Sequence, residues 1–275
     1  MDYYKITVKP KTDNIPPYFI GSMLRGSFGH ALKQVICINP SYRCNGCFAL
    51  EKCLYYDFYE KQNIQHKYRF DIKVNQKEFN FNLYLFAESC SNLSYVLSAL
   101  EITLKENGLG KERIKFKNIQ VYVNNISIYK RDFISCKRNI EPSVINNNTY
   151  FPNVKIKLLT PLRLKKGNKL KYTDITIEHI LRSIYQRYKQ IFENKNVYSL
   201  SYEPKYITSI KTLEYKPIYR KSDRQNKKII MDGVLGEMAV IGLDEESYKL
   251  LKIGEIIGVG KQTVFGFGKI KLDEI

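Results

Sequence analysis

The sequence lacks several features that define common protein classes. Its longest apolar runs have the length of a strand, so no segment is expected to span a membrane. The N-terminal residues MDYYKITVKP carry an acid at position 2 and no apolar signal core, so we expect a cytoplasmic protein. The 275 residues are 44% hydrophobic and 26% charged, which is typical of one large or two ordinary globular domains.

Acidic residues are scarce. The chain has 27 Asp and Glu against 45 Lys and Arg, a formal net charge of +18. Residues 155–172 hold seven basic residues and no acid, and residues 205–228 hold eight basic residues against two acids. Either stretch alone also fits a solvated surface, but the total charge favours a polyanionic partner bound with counterion release. We therefore predict nucleic-acid binding, with some of the 22 Tyr and 14 Phe available to stack on unpaired bases.

Hydrophobic periodicity predicts the same order of elements twice. The first half begins with a strand at Tyr3 to Lys9, a helix at Ile20 to Val35 and a cysteine-rich loop at 37–56. Two strands follow at Tyr68 to Val74 and Phe79 to Ala87, then a helix at Leu93 to Glu106 and one long or broken strand at 113–129. The second half shows a strand at Asn153 to Leu164 and a helix at 172–192, with Thr173 or Asp174 as cap. Two strands follow at Tyr206 to Tyr219 and Ile229 to Ile241, then a short helix from about Asp244 and a last strand after the glycines.

This order, β-α-β-β-α-β, is the ferredoxin-like unit. The sequence therefore predicts an α+β protein of two tandem ferredoxin-like domains. The N-terminal domain covers residues 1–140 and carries the loop 37–56. The C-terminal domain covers residues 150–275 and ends in a Gly-rich loop at 258–268.

The Gly-rich loop reads GVGKQTVFGFG, with glycines at 258, 260, 266 and 268. A dinucleotide fingerprint needs a third Gly where Thr263 stands and a βαβ unit downstream, where seven residues remain. The P-loop pattern is absent from the sequence. A turn that needs positive φ is one interpretation of the glycines. The one favoured here is bare backbone whose amides hold the phosphates of a polynucleotide.

The Gly-rich loop and four other stretches of the chain resemble a known family. GVGKQTVFGFGKI is similar to the C-terminal Gly-rich signature of the RAMP superfamily, which has RRM-like domains. Four other stretches resemble, in the same order, sequence motifs of the CRISPR-associated endoribonucleases that process precursor crRNA: GSMLRGSFGHAL, CNGCFALEKCLYYDFYE, TPLRLKKGNKL and YRKSDRQ. The resemblance implies a double ferredoxin-like fold and one cut within a CRISPR repeat RNA. The cut is independent of metal and uses the RNA 2′-OH, giving 2′,3′-cyclic phosphate and 5′-OH ends.

Three histidines are candidates for proton transfer: His30, His66 and His179. His30 lies off the predicted apolar stripe of the first helix and shares a face with Gly26, Lys33 and Gln34. The resemblance places a catalytic His on this helix, with Lys33 as electrostatic partner and Tyr18 as a phenolic assistant. A structural role is expected for His179, and His66 stays open between RNA contact and no function.

The expected RNA-binding residues are basic side chains in the quoted motifs and the members of the Gly-rich loop. They are Arg25, Lys165, Lys166, Arg220, Lys221, Ser222, Arg224, Gly258, Gly260, Lys261, Gln262, Gly266 and Gly268.

Four cysteines, Cys37, Cys44, Cys47 and Cys53, follow the spacing C-x6-C-x2-C-x5-C. Cytoplasmic thiols stay reduced, so four thiolates with a C-x2-C core favour a structural Zn²⁺, with an iron–sulfur cluster as the alternative. No cofactor is expected for catalysis.

Two functions fit these features: the endoribonuclease, and a non-catalytic RAMP subunit that holds crRNA in a CRISPR effector complex. The expected partners are CRISPR repeat RNA or crRNA and effector-complex subunits, with no membrane. The protein itself is expected to be a monomer or a homodimer.

Overall fold

The computed structural model describes residues 1–130, 133–134, 140–145, 149–166, 169–172, 174–222 and 227–275. The chain forms two compact units, which we describe separately. Unit 1 consists of Met1–Phe70 and Asn75–Val144, and unit 2 consists of Asp71–Val74 and Ile145–Ile275. In the described part of the chain, no helix combines the length and the apolar character needed to cross a bilayer.

The sheet of unit 1 has the strand order β2-β3-β1-β4-β5, with β8 also paired to β1. Its strands are β1 (Asp2–Lys11), β2 (Tyr68–Asp71), β3 (Phe81–Phe86), β4 (Asn118–Val123) and β5 (Ile126–Ser127), and after the short pair β6 (Tyr129–Lys130) and β7 (Phe133–Ile134) comes β8 (Ser143–Val144). Strand β1 alternates, and Tyr4, Ile6 and Val8 point into the core. Residues 113–129 were predicted to form one long or broken strand; the strand is broken by the turn at Asn124 and Asn125, both with positive φ.

Two helices complete unit 1: α1 (Gly21–Ile36) and α2 (Leu93–Glu101). Helix α1 buries Leu24, Phe28, Ala31 and Leu32, as its apolar stripe predicts. The helix predicted to run to Glu106 changes to π-helical hydrogen bonding over Ile102–Asn107 and stops at Gly108.

Unit 2 repeats the arrangement with the strand order β12-β13-β9-β14. Its elements are β9 (Val154–Leu162), the short pair β10 (Leu164–Lys166) and β11 (Lys169–Lys171), α3 (Ile177–Glu193), β12 (Thr208–Ser222), β13 (Lys227–Ile241), α4 (Glu245–Ile257) and β14 (Ile270–Glu274). In both units the four main strands, counted along the chain, therefore lie in the order 2-3-1-4. The prediction of an α+β fold with two ferredoxin-like units is confirmed.

The N-terminus of α3 differs from its prediction. The cap is Thr176, whose amide is bonded to His179 Nδ1 at 3.2 Å, while the Thr176 Oγ1 to Nδ1 distance is 2.9 Å. Asp174 does not cap this helix, and Thr173 lies outside the described residues. The capping box explains why a histidine stands in an otherwise apolar stretch.

Strands β12 and β13 form a hairpin that continues beyond the rest of the sheet. Strand β9 pairs with β13 from Val240 to Val234, and farther along the hairpin the pairing continues only between β12 and β13. Asp232 fixes the base of this two-stranded ribbon. Its carboxylate accepts a bond from Arg163 at 2.7 Å and one from the Tyr172 hydroxyl at 2.6 Å, and the second bond raises the pKa of Tyr172 to about 12.

The Gly-rich loop connects α4 to β14 and is buried along most of its length. All four of its glycines have positive φ: Gly258 (79°), Gly260 (80°), Gly266 (87°) and Gly268 (68°). A Cβ atom on Gly260 would lie 2.5 Å from the Arg163 carbonyl oxygen, and one on Gly268 would lie 1.7 Å from that of Val259. The geometry of the turn is therefore enough to explain these glycines, without a ligand.

We predict that Gly268→Ala lowers the free energy of unfolding by about 3 kcal/mol or more, because a side chain meets backbone that cannot move aside. Gly46→Ala is the matched control: Gly46 has φ +71° and no heavy atom within 4 Å of an added Cβ. This control should cost about 1–2 kcal/mol, the price of the left-handed conformation alone. Chemical denaturation of both variants measures the difference, and equal losses would contradict the close approach at Val259.

Candidate nucleic-acid interface

Helix α1 presents one line of exposed positions. Gly26, His30 and Gln34 are exposed and recur every four residues, opposite the buried stripe. Within the described ranges, no hydrogen bond or ion pair ties the His30 ring to another residue. His30 is thus an accessible imidazole on a regular helix, as its place off the apolar stripe predicts.

The other two histidines have internal partners. His66 Nδ1 lies 2.8 Å from the Asp57 carbonyl oxygen, and His179 belongs to the capping box of α3. The structural role predicted for His179 agrees with this geometry. Of the three histidines, His30 is the exposed one, and the other two are half-buried.

Lys33, one turn after His30, faces the cysteine-rich loop. Its ammonium lies 4.8 Å from the centre of the Tyr55 ring and 6.0 Å from that of Tyr42, so it is held by cation–π contacts. Tyr18 is 40% exposed just before α1, and its carbonyl accepts a bond from the Asn75 amide at 2.8 Å. Among the described residues, no hydrogen bond brings Tyr18, His30 and Lys33 together into one catalytic group.

Arg25, one of the predicted RNA contacts, takes part in an aromatic cluster of unit 1. Its guanidinium lies 4.5 Å from the centre of the Tyr59 ring, and the Tyr59 hydroxyl donates to the Arg25 carbonyl at 2.8 Å. Burial raises the pKa of Tyr59 well above its ordinary value and also raises that of Tyr68 beside it. The position of Arg25 is therefore explained by internal contacts with these rings.

The cysteine-rich loop surrounds a cavity of about 380 Å³, and Cys37, Cys44, Cys47 and Cys53 all line it. In the part of the chain that the structure describes, however, no three His, Cys, Asp or Glu side chains are grouped so that they could hold a metal ion. The structure therefore does not support the predicted zinc or iron–sulfur site.

The amides of the Gly-rich loop are already used within unit 2. The donors at 258, 260, 261, 266 and 268 are bonded to the Gly254 carbonyl (2.9 Å), Ser183 Oγ (2.9 Å), the Arg163 carbonyl (2.8 Å), the Thr263 carbonyl (2.9 Å) and the Pro161 carbonyl (3.0 Å). The expectation that Gly258, Gly260, Gly266 and Gly268 offer free amides to phosphates is therefore wrong. The loop folds tightly on itself, and its contribution to a ligand is left to side chains.

Lys261 is the exposed residue of this loop and stands in a group of cations. Burial, then the charges of Lys165 and Arg187, lower its pKa. Arg187 is buried under the loop, where its Nε donates to the Ile257 carbonyl at 2.8 Å. No described carboxylate forms an ion pair with Lys165 or Lys261. Two neighbouring lysines, neither paired with a described carboxylate, favour an anionic ligand such as phosphate.

The remaining predicted RNA contacts lie in the Gly-rich loop, in β10 and in or after β12. Gln262 has a left-handed backbone (φ 67°), and its carbonyl accepts a bond from the Phe265 amide at 2.9 Å. Lys166 lies in β10, and Arg220, Lys221 and Ser222 lie at the end of β12. Arg224 lies outside the described residues. Arg187 was not predicted, because its position in the buried stripe of α3 gives no sign of contact with the loop.

One curated relative and two solved structures resemble this chain in sequence or in fold. An "Uncharacterized protein" of Archaeoglobus fulgidus is 23% identical over 280 residues, which cover 94% of this chain and 93% of the relative. The structure described as "Cas6 (TTHB231) product complex" is 13% identical with a TM-score of 0.59, and 99% of this chain covers 100% of that one. "Thermus thermophilus Cas6 (TTHB231)" is 10% identical with a TM-score of 0.57, covering 99% and 98%. At these identities the structural likenesses concern the fold.

Two family models match the two halves of the chain. The one named AF_1859_N, an N-terminal domain, matches residues 1–142, which is more than half of the chain. The one described as "CRISPR-associated endoribonuclease Cas6" matches residues 156–270. Together with the repeated ferredoxin-like topology, these matches show that the chain belongs to the CRISPR-associated Cas6/RAMP family.

Proposed function

We propose that this protein is an endoribonuclease that binds CRISPR repeat RNA and cuts precursor crRNA once within the repeat. The observation that carries this proposal is the exposed imidazole of His30 on α1, in a chain that belongs to this family. Without such a group the family membership would equally fit a subunit that only holds crRNA.

The proposed reaction uses the RNA's own 2′-hydroxyl. Its oxygen attacks the adjacent phosphorus, the bond to the 5′-oxygen breaks, and the products end in a 2′,3′-cyclic phosphate and a 5′-hydroxyl. One proton leaves the 2′-hydroxyl and one reaches the 5′-oxygen, so the step balances without a metal ion. An imidazole titrates near neutral pH and can serve at either position. We assign this proton transfer to His30.

Lys33 and Tyr18 have supporting roles in this proposal. Lys33 places a positive charge one turn from His30, where the phosphorane gathers negative charge. Because its ammonium lies over Tyr55, it acts at a distance unless it leaves that ring. Tyr18 offers a partly exposed phenol near the start of the same helix.

Unit 2 is proposed to hold the RNA backbone. Lys165 and Lys261 supply exposed ammonium groups above the buried guanidinium of Arg187. Further proposed contacts are Lys166 in β10, Arg220, Lys221 and Ser222 at the end of β12, and Arg224 in the sequence after it. Phosphate contacts of this kind give affinity that falls steeply with salt.

The first test of the proposal is His30→Ala. We expect single-turnover cleavage of the repeat RNA from the same genome to slow by about 10²- to 10⁴-fold, with RNA affinity unchanged, because proton transfer is lost and binding is not. The assay is run in excess EDTA. His66→Gln is the matched control, since a Gln amide can still bond the Asp57 carbonyl, and it should cleave normally.

A substrate with a single 2′-deoxy nucleotide at the cut site should bind and remain intact. Normal cleavage by His30→Ala would remove His30 from the mechanism while leaving the nuclease. No cleavage by the wild-type protein would favour the non-catalytic RAMP subunit that holds crRNA.

The second test concerns Lys261. We expect Lys261→Ala to weaken binding of the repeat RNA and to reduce the slope of log affinity against log salt by about 0.7, the value for one phosphate contact on a single strand. Lys249→Ala is the control, because Lys249 is also exposed but pairs with Glu245 at 2.6 Å. Filter binding at several salt concentrations measures both slopes.

The lowered pKa of Lys261 also predicts how RNA affinity changes with pH. A bound phosphate favours the charged ammonium and raises that pKa again. The RNA affinity of the wild-type protein should therefore fall as the pH rises through the pKa that Lys261 has without RNA. Lys261→Ala should lose this part of the pH dependence. Equal salt slopes in wild type and Lys261→Ala would exclude a phosphate contact at this position.

A further inference from the structure

Gly26 is a glycine that the fold of unit 1 does not require. It lies inside α1, where glycine is less favourable than alanine because it adds backbone freedom to the unfolded chain. Its φ is not positive, and a Cβ atom built on it has no heavy atom within 4 Å. Both usual structural reasons for a helical glycine are therefore missing.

Gly29, three residues later in the same helix, shows what a structural reason looks like. A Cβ atom there would lie 2.5 Å from the Tyr59 ring, so Gly29 lets that ring pack against α1. The two glycines share a helix and a backbone conformation but differ in surroundings: one faces a buried aromatic ring, and the other faces open space.

The open space at Gly26 lies beside His30. The two residues are four apart, so they are neighbours along the exposed line of α1. Helical side chains lean toward the N-terminus, so the His30 side chain lies over the turn that contains Gly26. Helix α1 also carries Arg25 and Lys33 and no acid. The bare backbone at Gly26 is thus the floor of the space that the His30 ring faces.

We infer that the RNA strand lies directly on α1 at Gly26, with the ribose–phosphate next to the cut in van der Waals contact with this bare backbone. The inference rests on the proposed function and adds a positioning residue to it. Any side chain at position 26 would lift the strand away from the helix and from His30. Rates of reactions that depend on such alignment fall by large factors for displacements of about 1 Å.

The test compares Gly26→Ala and Gly26→Leu with Gln34→Leu, which places the same leucine side chain on the exposed line on the far side of His30. We expect Gly26→Ala to raise the midpoint of thermal unfolding by about 2 °C and to slow cleavage of the repeat RNA by about tenfold or more. Gly26→Leu should slow it further and weaken binding. Gln34→Leu should cleave and bind within about twofold of wild type, an allowance for the ordinary effect of a surface substitution.

Because Gly26→Ala should be more stable than wild type, its loss of activity would not come from unfolding. Gly29→Ala provides the opposite case, with a lower unfolding midpoint. Cleavage and affinity of both Gly26 variants equal to wild type would overturn the inference. If the wild-type protein does not cleave, the nuclease proposal fails. In that case the affinity for the same RNA tests the inference. Weaker binding by Gly26→Leu than by Gln34→Leu supports it, and equal binding overturns it.

Discussion

Unit 2 depends on one close contact between two backbone segments, at Gly268. There the chain passes so near the Val259 carbonyl that no side chain fits, and the Gly268 amide donates to Pro161 in β9. This contact lets the chain turn back after α4 and enter β14 as the neighbour of β9. The same turn holds Lys261 against Arg163 and above Arg187. The cations of the candidate interface are therefore positioned by a buried turn whose own amides are occupied.

Unit 1 is arranged on a different basis. The aromatic rings of residues 55–70 occupy one side of α1 and hold the cationic side chains of Arg25 and Lys33. The line of Gly26, His30 and Gln34 stays uncovered. One helix thus separates a structural face, where charges are buried against rings, from an open face that carries the imidazole. The proton transfer proposed for this protein is assigned to the open face.

Much of the fold could be predicted because periodic burial is a local property. The alternation of Tyr4, Ile6 and Val8 and the stripe from Leu24 to Leu32 follow from spacing alone. The contacts that could not be predicted depend on distant partners. Arg25 meets Tyr59, 34 positions away, and the amide of Gly260 meets Ser183, 77 positions away. A glycine that is bare for a ligand and one that is bare for its own chain look alike in a sequence, and only the surrounding atoms distinguish Gly26 from Gly29.

The β12–β13 hairpin has a consequence for the protein before any ligand arrives. Strand β12 is 15 residues long and forms an edge of its sheet, the position at which a strand of another chain can pair. Lys211, Lys216 and Pro217 interrupt this edge with charge and with a residue that lacks an N–H. The basic character of this strand therefore also guards against edge-to-edge aggregation, and replacing these residues with apolar ones would create a template for strand pairing between molecules.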